Sequence, residues 1–319
     1  MIRQKCAYFV NYITVNQNNI MIFGGADMES VTHTIGEIVL EDGKSLLKMW
    51  GVNISPGERD FVKHSHTRFE IAVVNSGEGE YMTEGAVYPM RAGDVFVFSS
   101  NEVHCITGVS GGGMCVTNLH FEPRYLMEKH ENEPFIHFCF SHSPQFCNRI
   151  PAGDAATVRD RLRMIEREFL AGRDNFRCAV RAYLELALID LLRCHGYGEQ
   201  EGAGVPKSAL FSMLAVFRYI DGHLGEELCL ADLSAVAGYS PNYFSHLFKQ
   251  MNGFSLWDYI TAKRVEKGVK LLTSGAGLTM VEIAMQCGFN NTVNFNKAFK
   301  KQKGMTPSAL KRNPQLLAH

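Results

Sequence analysis

The 319-residue sequence predicts an α+β chain of more than one domain, and three observations carry that reading. Residues 32–122 are rich in Val, Ile, Phe and Tyr and are cut into short pieces by turn signals, the pattern of a small antiparallel β-barrel or sandwich. Near Asp154 the apolar spacing changes to that of helices. In the last third, one pattern of Phe, Lys, Gly and hydroxyl residues occurs twice, the mark of a duplicated helical unit.

Composition narrows the class. With 46% hydrophobic and 20% charged residues the chain is neither disordered nor fibrous. Charges interrupt every apolar stretch before the roughly 18 residues that a membrane span needs. No small-residue cleavage site follows the short apolar stretch near the N-terminus, so the protein is expected in the cytoplasm, with no membrane partner. The nine cysteines are odd in number and contain no C-x-x-C pair, which predicts reduced, mostly buried thiols.

Residues 1–150 form the predicted front domain, with turns at Ser55-Pro56-Gly57, Asn75-Ser76-Gly77, Ala92-Gly93-Asp94 and Gly111 to Gly113. Residues 151–196 follow as a helical segment. Val158, Leu162, Ile165 and Phe169 share one helix face, Gly172 ends that helix, and a second runs from about Asn175 to Cys194. The segment is expected to pair two copies of the chain, or else to cover the barrel. The Gly-rich stretch 197–206 reads as a linker, and residues 207–319 read as helical throughout.

Charge divides at the same place. Residues 207–319 hold 13 Lys and Arg against 7 Asp and Glu, net +6, which leaves 19 against 26, net −7, in residues 1–206. A polyanionic partner would therefore meet the back half.

The repeat gives that half its organisation. The pattern F-x-x-x-F-K-x-x-x-G-x-[ST] starts at Phe244 and again at Phe295, and each copy reads as helix, tight turn, helix. In the first copy Gly238 permits the turn, Ser240 and Pro241 begin the second helix, and Phe244, Leu247, Phe248 and Met251 face inward. Asn242, Ser245, His246 and Lys249 then share the opposite face. In the second copy Thr279 and Glu282 form a capping box, and Asn290 or Asn291 starts the later helix. Its free face shows Thr292 or Val293, Asn296, Lys297 and Lys300. Short polar side chains beside Lys suit a surface that reads base edges and holds phosphates of double-stranded DNA. Between the copies Ser255 caps a helix to about Leu272, roughly 27 Å long. Such a rod can hold two recognition helices in major-groove segments about 34 Å apart.

From Phe211 to about Arg312 the sequence resembles the AraC/XylS family of transcription regulators, including Ala262-Lys263-Arg264, Leu271-Leu272 and Gly304-Met305-Thr306-Pro307. The resemblance implies base contacts from Asn242, Ser245 and His246 in the first unit, and from Thr292, Val293, Asn296 and Lys297 in the second. Three positions depart from it: Gly268 for the usual Ala, Asn294 for Tyr and Lys311 for Arg. The second unit is therefore expected to grip less firmly.

The front domain has its own resemblance. Gly57, His64, His66, Glu70 and Gly77, followed by Gly93-Asp94 and His104, match the two sequence motifs of the cupin superfamily, a small antiparallel β-barrel. His64 and His66 project from one face of a strand, and with Glu70 and His104 they suit a divalent metal: Fe, Mn, Zn or Ni. Three readings stand open. One is a cupin metalloenzyme carrying a DNA-binding domain. Another is an effector pocket, with or without a metal, including a metal-sensing regulator. In the last, the set serves hydrogen bonding alone. The family resemblance implies a small-molecule effector, often a carbohydrate, without catalysis. Trp50, Arg68, Tyr81 and His120 are candidates to line its pocket. The whole reads as a ligand-controlled regulator, a homodimer on repeated half-sites, with RNA polymerase as a further partner.

Overall fold

A computed structural model describes residues 31–39, 45–56, 63–83, 85–100, 102–122, 125–126, 146–194, 207–252 and 254–313. Gly57 and the linker 197–206 lie outside these residues.

The front half is an antiparallel sheet of β1 (Val31–Val39), β2 (Ser45–Ile54), β3 (Phe69–Thr83), β4 (Val87–Arg91), β5 (Val95–Phe98), β6 (His104–Phe121) and β7 (Arg149–Ile150). Its order is β1-β2-β6-β3-β5-β7, with β4 also on β3. Strands β3 and β6 are long rather than short. The turn signals at Gly77 and Gly113 bend them without ending them, because both glycines take a positive φ inside the ladder and its register shifts there.

Alternation sorts the side chains of this sheet onto two buried faces. Ile71 and Val73 of β3, with Val95 and Val97 of β5, face one apolar core. Ala72, Val74, Phe96 and Phe98 face the other. A strand buried on both sides reads as a continuous apolar run, which is what Val95–Phe98 shows.

Helices α1 (Ala156–Ala171) and α2 (Phe176–Cys194) cover the first of these faces. The stripe Val158, Leu162, Ile165, Phe169 lies in the same core as Ile35, Ile38 and Leu47 of the sheet. A Cβ at Gly36 of β1 would sit 2.2 Å from the Phe169 ring, so that glycine makes the room. The stripe is thus spent inside the chain and is not available to pair two copies.

The back half runs α3 (Lys207–Gly222), α4 (Leu230–Ala237), α5 (Pro241–Asn252), α6 (Leu256–Thr273), α7 (Met280–Gln286), α8 (Thr292–Lys303) and α9 (Pro307–Arg312). Gly238 closes α4 in the left-handed conformation, Ser255 caps α6, Thr279 and Glu282 form the capping box of α7, and Asn291 caps α8. Val265, Leu272, Ile283, Phe295, Phe299 and Leu310 make a separate core for the second unit.

Arg264 joins the units. Its guanidinium donates to the Leu224 carbonyl (3.0 Å) and the Glu226 carbonyl (2.7 Å). Cys105, Cys115, Cys147, Cys178, Cys229 and Cys287 form no disulfide; contrary to the expectation of burial, Cys147, Cys178 and Cys229 are exposed. Among the described residues no helix is long and apolar enough to cross a membrane.

Candidate functional site

Two surfaces carry chemistry. The first is the pair of helices α5 and α8. On α5, Phe244, Leu247, Phe248 and Met251 are buried, while Asn242, Ser245, His246 and Lys249 are all exposed. On α8, Phe295 and Phe299 are buried, Thr292 is half-buried, and Val293, Asn296, Lys297 and Lys300 are exposed. Val293 is 71% exposed, so an apolar side chain stands in water at the start of a helix. Such a residue suits contact with a thymine methyl. The apolar rows thus orient both helices with polar and Lys side chains outward, and the 18-residue α6 joins the two units.

The second surface lies inside the sheet. The Glu70 carboxylate oxygen Oε2 sits 2.7 Å from His120 Nε2, 3.0 Å from His66 Nε2 and 3.2 Å from His104 Nε2. Glu70 and His120 are direct partners across β3 and β6, which is how residues far apart in sequence meet. His64 joins through an isolated bridge to His104, with ring centroids 4.6 Å apart. Two overlapping donor sets result: His64, His66 and His104, and His66, Glu70 and His120.

The outer nitrogens of the rings decide what the inner ones are. His66 Nδ1–H donates to the Arg68 carbonyl (3.0 Å), and His104 Nδ1–H donates to the Glu102 carbonyl (2.9 Å). In neutral rings these bonds leave bare lone pairs on both Nε2 atoms. Both lone pairs then face the Glu70 carboxylate, and His104 Nε2 is buried without a hydrogen-bond partner.

Burial drives His66 down to about 3 and His120 down to about 4. Burial also opposes charge on His104 and Glu70. Glu70 outweighs it at His104, which is raised, and His120 together with His104 outweighs it at Glu70, which is held well below the usual carboxylate range. The box therefore holds a carboxylate and wants one positive charge, either a proton on His104 or a cation. Four imidazoles and one carboxylate fit a borderline divalent metal, and the two carbonyls act as orienting partners of its ligands.

The other pocket candidates divide. Trp50 meets His120 edge-on with centroids 4.4 Å apart and borders the cluster. Tyr81 is buried against Phe96 and Phe98, 6.0 Å from the His104 ring. Arg68 points elsewhere: its guanidinium donates to the Ser45 carbonyl (3.2 Å), and only its main-chain carbonyl serves the cluster.

Comparison with known proteins gives a family match in each half of the chain. Residues 55–183 match the model of the AraC-like ligand binding domain, and residues 233–313 match that of a helix-turn-helix domain. The right origin-binding protein of Escherichia coli (strain K12) is 35% identical over 97 residues, 30% of this chain and 33% of its own length. The chain thus spans about a third of that relative. The probable transcriptional regulator LumQ of Photobacterium leiognathi is 24% identical over 245 residues, 77% of this chain and 90% of its own. The chain belongs to the AraC family of transcription regulators.

For this AraC-family chain, the crystal structure of ToxT from Vibrio cholerae has a TM-score of 0.55 at 13% identity, covering 84% of this chain and 98% of that one, a likeness of fold. Two of the departures noted in the second helix-turn-helix unit, Gly268 and Lys311, have local contacts. A Cβ at Gly268 would lie 2.8 Å from the Phe295 ring, so the glycine admits that ring. Asn294 is exposed and donates only its backbone N–H to the Asn291 cap (2.8 Å), so no contact among the described residues explains its side chain, and Lys311 donates to the Leu278 carbonyl.

Sequence reasoning placed His120 outside the donor set, although its even spacing from Asn118 and Val116 on one strand face was visible. It gave no role to Lys263, Glu266 or Lys303, which carry no local signal.

Proposed function

We propose that this AraC-family chain is a cytoplasmic, sequence-specific regulator that grips double-stranded DNA with α5 and α8 and answers to an effector held at the histidine cluster. The observation that carries the DNA reading is the outward polar and Lys face of each helix over a buried Phe pair, twice, on either side of one rod. Asn242, Ser245, His246, Thr292, Val293, Asn296 and Lys297 would read bases, and Lys249 and Lys300 would hold phosphates. The test is selection from a randomised duplex pool by the full chain. Enrichment that fades with added salt is expected, and a pool without salt-sensitive enrichment contradicts the reading.

The effector reading favours a divalent cation over a carbohydrate, because the Nε2 atoms of His66, His104 and His120 converge on one carboxylate oxygen. The donors would be His64, His66, His104, His120 and Glu70, and a bound cation would supply the positive charge that this buried set needs. Trp50 borders the same space and would stack against an organic ligand.

Protein purified without chelator should retain about one divalent ion per chain, read by metal analysis, and a His64→Ala/His66→Ala variant should lose it. Equal metal in both proteins dismisses these ligands. Turnover of a substrate by the front half would instead favour the metalloenzyme reading.

A further inference from the structure

We infer that the segment carrying His64 and His66 is also the latch between the sheet and the DNA-binding helices, so that a divalent cation at the cluster and duplex DNA at α5 and α8 alter each other's affinity through it. The inference rests on the cation reading above and concerns how that site is read out.

The segment has two faces. His64 and His66 contribute side chains to the cluster. The residues between and after them bond the other way. Ser65 N–H donates to the Gln302 carbonyl (3.3 Å), and Lys303 Nζ donates to the Ser65 carbonyl (2.9 Å). Thr67 donates both its N–H and its hydroxyl to Glu266 Oε1, each at 2.8 Å. Gln302 and Lys303 end α8, the helix that presents Asn296, Lys297 and Lys300, and Glu266 lies midway along the connecting rod α6. One stretch of four residues thus touches the cluster, the rod and the second recognition helix.

The stretch is also fixed on the cluster side. His64 and His104 exchange backbone hydrogen bonds of 3.2 and 3.1 Å, and Ser100 Oγ donates to the Thr67 carbonyl (2.7 Å). A second connection runs in parallel. Glu122, two residues beyond His120, accepts from the buried Lys263 Nζ of α6 at 3.0 Å. Lys263 also lies 3.7 Å from Asp221 and 3.8 Å from Glu266.

The contacts at Glu266, Gln302 and Lys303 are ionic and polar, of the kind that part and re-form, whereas the apolar cluster shared by the front half and the first unit takes in Leu256, Tyr259 and Ile260 of α6. A ligand that fixes the orientation of His64 and His66 fixes Ser65 and Thr67 with them. Binding energy at the cluster is then shared with docking, and the sharing is reciprocal.

The experiment uses the full chain and a duplex selected by it. Zinc, nickel and manganese are titrated in turn with and without duplex, and duplex is titrated with and without each metal. The wild-type protein should show a change of about fivefold or more in duplex Kd on adding metal, matched by the same factor in metal Kd on adding duplex. Thr67→Val and Glu266→Gln should each bind metal and duplex with the factor reduced towards one. Wild-type protein that binds both with a factor under about twofold overturns the latch and leaves the cation reading standing. Both variants keeping the full factor overturns it equally. Failure of all three metals to bind overturns the cation reading and the latch with it.

Discussion

Gly288 shows how one residue can satisfy two demands. Its φ of +81° lies in the left-handed region, and a Cβ there would stand 2.2 Å from the Leu224 carbonyl oxygen and 2.8 Å from Arg264 Nε. The sequence marks the glycine as a turn; the second demand comes from Arg264, whose destination no spacing discloses. Gly288→Ala should cost roughly 2 kcal/mol or more, about 1 from the backbone and the rest from displaced packing. Urea unfolding checks this, and a loss under about 0.5 kcal/mol would mean that the contact is slack. The cluster teaches the same lesson. Spacing by two identified His64 and His66 as a pair, yet the segment is no strand, since His64 makes only an isolated bridge and β3 starts at Phe69; strand order, which only the folded sheet supplies, brought His120 opposite Glu70.

Helices were the most legible elements. The capping box at Thr279 and Glu282, the Ser255 cap and the 18-residue rod all follow from local hydrogen bonding and a 3.6-residue period, which short stretches of sequence record. Strands were less so, because Gly77 and Gly113 bend a strand with the same residue that elsewhere ends one. The stripe on α1 was legible as apolar but not as to what it covers. On α8, Lys297 is exposed beside Asn296 and one turn before Lys300. Lys297→Ala should weaken duplex binding and lower the slope of log affinity against log salt by about one if it holds a phosphate. If it reads guanine, base preference at one position should relax instead. Titrations at several salt concentrations distinguish the two, and no change in either quantity would remove α8 from the interface.

Across the whole molecule the two halves share a buried apolar cluster and, beside it, buried charge. Burial raises Glu266, but Lys263, Arg68, Lys303 and the Thr67 amide outweigh it and hold the carboxyl at about 2. Asp221 and Glu122 share Lys263 with it, and Lys270 lies in the same field. A carboxyl depressed in the folded protein stabilises above its unfolded value, about 4.3, and that contribution fades as pH falls towards 2. Stability should therefore drop across this window, and Glu266→Gln should be less stable at pH 7 with a shallower acid loss. Unfolding free energies at stepped pH measure both. Identical acid profiles for the two proteins would show that Glu266 takes no part in docking.

The account as a whole turns on two recognition helices set by one rod. Hydroxyl-radical footprinting of the full chain on its selected duplex reads that geometry directly. Two protected patches on one face of the duplex, about 10 base pairs apart for each chain bound, are expected from adjacent major-groove segments. A single patch, or protection on opposite faces, would contradict it.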